Sequence, residues 1–344
     1  MAGRVAIGAI MKSEAPYIVE WVAWHRLNGF ELIIADNGGG DGQTELLARL
    51  DAAGLVKRVE ARALRFKPQV PAYNHILRHA AKAGIDILGF IDADEFLEPV
   101  GAAEIEGAGA RLVSDLMARA GKPALAFNWM CFGSSHLQEP TPEPVLERFT
   151  MCAEQHHDIN DHIKSFLAVK PALALLETTP ATKLHPHGAM FAAGDYSHDG
   201  GPMVLPGEFG RSATVSWRHA RIRHYVIKTY PEFLRGKDAR GRADTKPGDL
   251  SYKQNYFKCY DLNDVVAPLP PAWIARLKRE IASVESAIAG VKAPDGMGRP
   301  PTLAQSMAWF WRTRPFNGSG RGEALDKGVR QAAQSLRVTY FGST

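Results

Sequence analysis

Short apolar runs alternate with stretches of helical periodicity over the first 100 residues. The runs "RVAIGAIM" (4–11), "ELIIAD" (31–36) and "ILGFI" (87–91) are branched and apolar, as expected for strands buried on both faces. Between them, apolar residues recur at helical spacing in 18–25 and 46–50. Alternating strands and helices predict an α/β fold with a mostly parallel, Rossmann-like sheet flanked by helices.

The first predicted helix carries its own start and stop signals. Ser13 is predicted to cap its N-terminus, Pro16 falls in its first turn, and Gly29 is predicted to end it. After the second strand, "NGGGDG" (37–42) predicts a tight loop. This loop follows directly on Asp36, the last residue of that strand.

Acidic residues follow two of the predicted strands. Asp36 ends the second strand, and Asp92, Asp94 and Glu95 come directly after "ILGFI". Ligands of open α/β sheets bind beyond the carboxyl ends of the strands, so we expect these side chains to enter a crevice. Asp92 and Asp94 lie two positions apart on an extended segment and therefore face the same side. Paired carboxylates there predict a Mg²⁺ or Mn²⁺ site shared with substrate phosphates, and a plain polar turn is the alternative.

Several segments together resemble a known family. The segments "KSEAPYIVEWVAWHRLNGFELIIADNGGGDGQTELL", "PAYNHIL" and "GFIDADEFLEP" resemble the family 2-type glycosyltransferases of the GT-A fold, especially the subgroup related to glycosyltransferase family 92. The resemblance resumes at "FNWMCFGSS", "KLHPHG" and "RIRHYVIKTYPEFLRGKDARGR". Two departures are Thr229, where serine is usual, and "NGGGDG", where relatives tend to have N-G-S-x-D.

The resemblance implies roles for the acids of the first 100 residues. Asp36 would contact the base or ribose of a UDP-type donor. Asp92 would lie near the ribose and the metal, and Asp94 would bind the metal. Glu14 would contribute to the donor pocket, and the alternative is that it is a favourable acid in the first turn of a helix.

The block from Arg221 to Arg242 resembles an element of some metal-dependent GT-A enzymes. That resemblance implies that His224 completes the metal shell and that Lys228 contacts the donor diphosphate. An imidazole beside carboxylates suits Mn²⁺ better than Mg²⁺. The alternative is a solvated basic helix with an incidental histidine.

Histidines concentrate in the middle of the chain, at positions 156, 157, 162, 185 and 187. Such a cluster supports an alternative function, a zinc-dependent hydrolase built on the His156–His187 region. No HExxH motif accompanies it. Under the glycosyltransferase interpretation the segment lines the acceptor side, and the roles of His185 and His187 stay open.

An inverting transferase needs a general base that takes the proton of the acceptor hydroxyl. The family resemblance favours inversion. Asp195 and Asp158 are the preferred candidates, with Asp161 and Asp199 as further ones, because spacing alone does not choose among loop acids. Trp129 is a core residue or a platform on which a sugar ring stacks.

The composition changes from about residue 268, where a proline-flanked linker precedes an amphipathic helix. We predict a GT-A domain at 1–262, with a nucleotide-binding half (1–100) and an acceptor half (101–262), and a helical C-terminal extension at 263–344. The aromatic residues 309–311 suggest peripheral membrane contact as an alternative to simple packing.

Bulk composition narrows the function further. The chain has 344 residues and a formal charge of +4, too small to indicate general nucleic-acid binding. Its three scattered cysteines, and an N-terminus without a secretory pattern, predict a cytoplasmic protein, with peripheral membrane attachment as an alternative. The predicted function is a metal-dependent, inverting transfer of a hexose from a UDP-sugar to a glycan or lipid-linked saccharide. A non-catalytic nucleotide- or carbohydrate-binding module is a further alternative.

Overall fold

The computed structural model describes residues 3–62, 68–178, 184, 190–202, 210–238 and 250–291. Within these residues the strands are β1 (Val5–Met11), β2 (Glu31–Asp36), β3 (Lys57–Glu60), β4 (Ile87–Phe90), β5 (Glu95–Pro99), β6 (Ala124–Cys131), β7 (Met151–Cys152), β8 (Ile163–Ala168), β9 (Tyr196–His198), β10 (Gly201–Pro202), β11 (Ala220–His224) and β12 (Val265–Val266). The helices are α1 (Ala15–Leu27), α2 (Gln43–Ala52), α3 (Gln69–Lys82), α4 (Ala108–Ala120), α5 (Val145–Arg148), α6 (Val169–Thr178), α7 (Tyr230–Phe233), α8 (Leu250–Tyr260) and α9 (Pro271–Ala289).

The main sheet confirms the predicted α/β class. Strands β3, β2, β1 and β4 are neighbours in that order, and all three pairings are parallel. Strand β8 then enters antiparallel between β4 and β6, and β6 pairs in parallel with both β9 and β11. Strand β5 returns antiparallel along β11. The carboxyl ends of β1, β4, β6 and β11 therefore lie at one edge of the sheet.

Helices cover both faces of this sheet. Alternate residues of β1 point to opposite faces, so that Val5, Ile7 and Ala9 pack in one cluster with α1 and α4, while Ala6 packs in another with α3 and α6. Glycine is required in β4 where the side chain of its cross-strand partner in β8 lies against the backbone. A Cβ atom at Gly89 would overlap the ring of Phe166.

The first helix is capped by a distant residue, which corrects the prediction for Ser13. Ser13 has a positive φ of 53°, and the N-cap position is Glu14, whose side chain makes no capping bond. The N–H of Ala15 instead donates to Asp41 Oδ2 at 2.8 Å, from the glycine-rich loop after β2. The predicted stop is confirmed, because Gly29 follows the helix with a φ of 83°.

The described part of the C-terminal segment packs against α1. The ring of Trp273 in α9 is 6.3 Å from that of Trp24, and Arg26 pairs with Glu280 at 3.6 Å. These contacts confirm a helix after residue 262, whereas the domain boundary there stays a prediction. Residues 309–311 lie outside the described part of the chain. Among the helices described, none combines the length and apolar character needed to span a bilayer.

Candidate active site

The edge formed by the carboxyl ends of the parallel strands brings Asp94 and His224 together. Strand β5 pairs with β11 so that Glu95 is opposite His224. As a result His224 Nε2 lies 3.7 Å from Asp94 Oδ2 and 4.0 Å from Glu95 Oε1. Asp94 and His224 are both largely buried, with 7% and 5% of their surfaces exposed. The tertiary structure thus joins the acidic motif to the histidine that the sequence placed in the other half of the chain.

The imidazole of His224 is held by an aromatic side chain and a thiol. The ring of Trp129 lies 4.2 Å from that of His224, and Cys131 Sγ lies 3.8 Å from His224 Nδ1. Trp129 also stacks on His162, with ring centroids 4.4 Å apart. Trp129 is therefore buried between imidazoles as a core residue, and its contacts orient His224 instead of presenting an open platform for a sugar.

Lys164 is a site residue that the sequence analysis missed. Its side chain extends from β8 into the interior, where Nζ lies 2.5 Å from Asp92 Oδ2 and 2.9 Å from Glu95 Oε2. Burial disfavours the ammonium form, but the charges of Asp92 and Glu95 outweigh burial and raise the pKa of Lys164. The available signal was a lysine inside the apolar run "IKSFLAV".

Glu95 is the most enclosed acid of the motif, with no exposed surface. Its Oε2 accepts a hydrogen bond from the backbone N–H of Asp92 at 2.8 Å. Its Oε1 is buried without a hydrogen-bond partner among the described residues. Burial, together with the nearby carboxylates of Asp92 and Asp94, raises the pKa of Glu95 to about 8, while Lys164 opposes that shift. The site therefore contains a buried oxygen atom that lacks a partner, on the side facing His224.

These donors fit a divalent cation that is shared with a ligand. No preformed group of three or more histidine, cysteine or acidic side chains with metal-binding geometry occurs in the part of the chain that the structure describes. Asp94 and His224 nevertheless offer one oxygen and one nitrogen donor, and the unpartnered Oε1 of Glu95 lies beside them. Mn²⁺ accepts such a mixed donor set and fills its remaining positions with phosphate oxygens and water.

Asp36 is held by hydrogen bonds within the protein. Its carboxylate is fully buried and accepts hydrogen bonds from Gly38 N at 2.9 Å and Gln43 Nε2 at 3.0 Å. Arg58 completes the set with Nε and Nη2 at 3.0 and 2.7 Å from Oδ2. Asp36 therefore holds the glycine-rich loop in place through these hydrogen bonds. Its contact with a nucleoside stays a prediction.

Glu14 and Lys228 lie near the start of α1. Glu14 is buried, and its backbone N–H donates to Gln43 Oε1 at 3.0 Å. Lys228 has a positive φ of 60°, uncommon for a residue with a side chain, and its Nζ lies 3.1 Å from the carbonyl of Tyr225 and 4.2 Å from the ring centroid of Tyr17. The roles predicted for both residues in donor binding stay predictions.

The departure at Thr229 has a structural explanation. Thr229 is the N-cap of α7, where its hydroxyl accepts from the N–H of Glu232 at 3.3 Å. The Glu232 carboxylate accepts in return from the backbone N–H of Thr229 at 3.2 Å, which completes a capping box. Arg148 anchors the same carboxylate through two hydrogen bonds of 2.8 and 3.0 Å. A hydroxyl is what this position needs, and threonine supplies it as serine does.

The candidate bases fall at opposite edges of the sheet, which corrects the prediction for Asp195. Asp195 precedes Tyr196, which is opposite Ala124 at the amino end of β6, whereas Cys131 at the other end contacts His224. The length of this strand separates them by on the order of 20 Å, so the structure does not bring Asp195 to the site. Asp158 is exposed in the turn 158–161, which precedes β8 at the edge of the sheet that carries His224.

The other loop acids are engaged in structural contacts. Asp161 Oδ1 accepts from Arg211 Nε at 2.9 Å. Asp199 is buried and accepts from the backbone N–H groups of Arg218, His219 and Ala220 at 2.6 to 3.3 Å, which holds the chain as it enters β11.

The histidine cluster is dispersed in the described region. His156 and His157 are exposed, and His157 Nδ1 accepts from the N–H of Ile159 at 3.1 Å. His162 is packed on Trp129. His185 and His187 lie outside the described residues. No observation in the described part of the chain therefore favours the zinc hydrolase.

Comparison with known proteins yields distant structural similarity only. No protein-family model matches the chain, and no curated protein matches it. Among solved structures, TarS of S. aureus is 11% identical over 91% of this chain and 49% of its own, with a TM-score of 0.36. This chain thus spans about half the length of TarS, and residues 1–349 of TarS, solved with UDP, give 12% identity over 91% of this chain and 81% of that fragment, with a TM-score of 0.36.

Two further solved structures are similar at the same low level. Glucosyl-3-phosphoglycerate synthase from Mycobacterium tuberculosis, solved with Mn²⁺, UDP and glucosyl-3-phosphoglycerate, is 20% identical over 36% of this chain and 43% of its own, with a TM-score of 0.23. The galactosyltransferase LgtC, solved with donor and acceptor sugar analogues, is 9% identical over 79% of this chain and 99% of its own, with a TM-score of 0.32. All these TM-scores lie below 0.5, so function has to be inferred from the site itself.

Proposed function

We propose that this protein is a metal-dependent glycosyltransferase that moves a hexose from a UDP-sugar to a glycan or lipid-linked saccharide with inversion. One observation carries the proposal. Asp94 and His224 come from separate halves of the chain and lie 3.7 Å apart at the carboxyl edge of the parallel strands, where α/β sheets bind ligands. The sequence resemblance to the family 2-type enzymes supports a nucleotide-sugar as that ligand.

In this proposal each residue near the edge has a separate task. Asp94 and His224 would hold Mn²⁺ or Mg²⁺, which would supply positive charge to offset the charge that develops on the departing diphosphate. Lys228, held in a strained backbone conformation beside Tyr17, places a second positive charge near the same ligand. Trp129 and Cys131 keep the imidazole in place.

The general base is assigned to Asp158 in preference to Asp195. Asp158 is exposed at the edge that carries His224 and Asp94, which is where an acceptor hydroxyl would meet the proposed donor. A base must lie within hydrogen-bond reach of the proton that it removes. Asp195, at the other edge of the sheet, does not meet that condition.

The test is a panel of nucleotide sugars, scored by thermal shift with and without Mn²⁺. Ligands that bind the native state raise its melting temperature, and the increase grows with the logarithm of the ratio of ligand concentration to Kd. A UDP-sugar is expected to stabilise the protein in the presence of Mn²⁺ much more than in its absence. Release of UDP from the stabilising donor, with and without saccharide acceptors, then separates a transferase from a module that only binds.

His224→Gln and His156→Gln make a matched pair for the same assay. The first removes an imidazole from the cation site and should abolish the Mn²⁺-dependent stabilisation, whereas the second removes an exposed imidazole and should leave it intact. The reverse result, with loss only in His156→Gln, would favour the histidine-based zinc site. Equal donor binding in both variants and the parent would overturn the assignment of His224.

A further inference from the structure

Lys164 places a permanent positive charge inside the candidate site. It lies on β8, opposite Phe127 of β6, and only 1% of its surface is exposed. Its ammonium is 2.5 Å from Asp92 Oδ2 and 2.9 Å from Glu95 Oε2. A buried ammonium at these distances from two carboxylates forms an internal ion pair. It is too enclosed to contact a donor or acceptor.

The ammonium divides the acidic segment into two parts. Asp92 and one oxygen of Glu95 face Lys164, on the sheet side. Asp94 and the other oxygen of Glu95 face His224, at 3.7 and 4.0 Å from Nε2. The charge of Asp92 is therefore already neutralised by Lys164, whereas Asp94 faces the imidazole of His224.

We propose that Lys164 is a built-in counter-cation that reserves Asp92 and leaves an exchangeable divalent cation to Asp94 and His224. It is a positioning residue, because it acts through Asp92 and does not touch the substrate. The inference rests on the proposed function for the identity of the ligand that shares the cation. It changes the expectation from the sequence, in which Asp92 and Asp94 were predicted to hold the metal together.

Electrostatics predicts in which direction the removal of Lys164 changes the affinity for Mn²⁺. The ammonium repels a divalent cation a few ångströms away and occupies an oxygen of Asp92 that would otherwise bind it. Asp92 is one-third exposed, so its carboxylate has room to turn once the ammonium is gone. Removing Lys164 should therefore tighten the binding of Mn²⁺ in the absence of any nucleotide, by about tenfold or more.

The experiment measures Mn²⁺ alone, by electron paramagnetic resonance of the free ion, on the full chain. The variants are Lys164→Met, Lys164→Met with Glu95→Gln, and Lys164→Met with Asp92→Asn. Both double variants lose the ammonium and one of the two acidic groups that it contacts, so that they differ only in which acid is removed. The single variant should bind Mn²⁺ about tenfold tighter than the parent. The Glu95→Gln double should show the same gain, because glutamine keeps an amide oxygen beside Asp94 and His224. The Asp92→Asn double should stay within about threefold of the parent, because the released carboxylate is missing.

Two results would overturn the proposal. Equal Mn²⁺ affinities in the two double variants would mean that release of the Asp92 carboxylate does not matter, and no gain in any folded variant would mean that Lys164 is only structural. If Lys164→Met alone does not fold, the double variants decide, since each also removes an acid that the lost ammonium would leave buried without its partner. A parent that does not bind UDP-sugars contradicts the proposed function, whereas the order of Mn²⁺ affinities tests Lys164 without any nucleotide.

Discussion

Two strand ends of this protein carry acids, and the structure uses them in opposite ways. At the end of β2, Asp36 is fully buried, and hydrogen bonds from Arg58, Gln43 and the backbone of Gly38 satisfy its carboxylate. After β4, Glu95 keeps a buried oxygen without a partner among the described residues, and Asp94 faces His224 at 3.7 Å. A satisfied buried charge braces a loop, whereas an incompletely satisfied one indicates a place for a ligand. Acids at comparable positions thus differ in how far the protein satisfies them, which only their partners show.

The largest expected effect comes from Asp94→Asn. It removes the charged oxygen donor of the proposed cation site, so UDP-sugar turnover with Mn²⁺ should fall about 100-fold or more. Because Asp94 is buried beside His224, the free energy of unfolding should also fall, by about 1 to 2 kcal/mol. Donor turnover and urea unfolding, measured on the same preparation, check both statements. Turnover equal to that of the parent would remove Asp94 from the site.

The same change at the other strand end should affect stability. Asp36→Asn leaves the guanidinium of Arg58 without its buried carboxylate and should lower the free energy of unfolding by about 3 kcal/mol. Glu60→Gln is the matched control, because Glu60 also pairs with Arg58 but is 38% exposed, and it should cost less than about 1 kcal/mol. Urea unfolding of both variants measures the difference, and equal costs would contradict the bracing role of Asp36.

The buried residue His25 predicts how the stability of the protein depends on pH. His25 stacks on Phe96, and burial lowers its pKa from 6.5 to about 3. The unfolded chain therefore binds a proton between pH 6.5 and 3 that the folded chain does not, and stability falls as pH falls through this window. The contribution reaches about 1.4 kcal/mol per pH unit.

His25→Gln removes this titration. The free energy of unfolding of the variant should depend less steeply on pH between about 6 and 4 than that of the parent, by up to about 1.4 kcal/mol per unit. Urea unfolding at several pH values measures both slopes. Parallel slopes would show that His25 does not titrate as its burial requires.

The smallest expected effect concerns the cap beside Lys228. Thr229→Ala removes the hydroxyl that begins α7 and should cost about 1 kcal/mol of stability. Thr229→Ser keeps the hydroxyl and should lie within about 0.5 kcal/mol of the parent. Thermal unfolding of the pair compares them. An alanine variant as stable as the serine variant would mean that the capping box does not contribute.

Local pattern predicted the parts of the fold that depend on neighbouring residues. The apolar runs of β1, β2 and β4 and the stop at Gly29 are where the sequence placed them, because burial on both faces and a positive φ leave local signatures. The start of α1 was missed, since Asp41 supplies the cap from another loop. No pattern around Ser13 contains that contact.

The candidate site likewise contains residues that the sequence predicted and others that it missed or misplaced. The acids after β4 and the histidine of β11 were predicted individually, and their resemblance to a family motif linked them. Lys164 was missed because a lysine in an apolar strand gives no sign of the carboxylates that it will meet. Asp195 was misplaced because one-dimensional spacing does not say at which edge of a sheet a loop lies.

By itself, the sequence determined an α/β fold, the strand that precedes Asp92 and Asp94, and the chemistry that such acids support. Only the tertiary structure decided which charges are paired: Asp36 with Arg58, Asp92 with Lys164, and Asp94 beside His224. The reason is physical. Periodicity reflects which side of an element is buried, a property of adjacent residues, whereas a charge is neutralised by whichever group the strand register brings within about 4 Å.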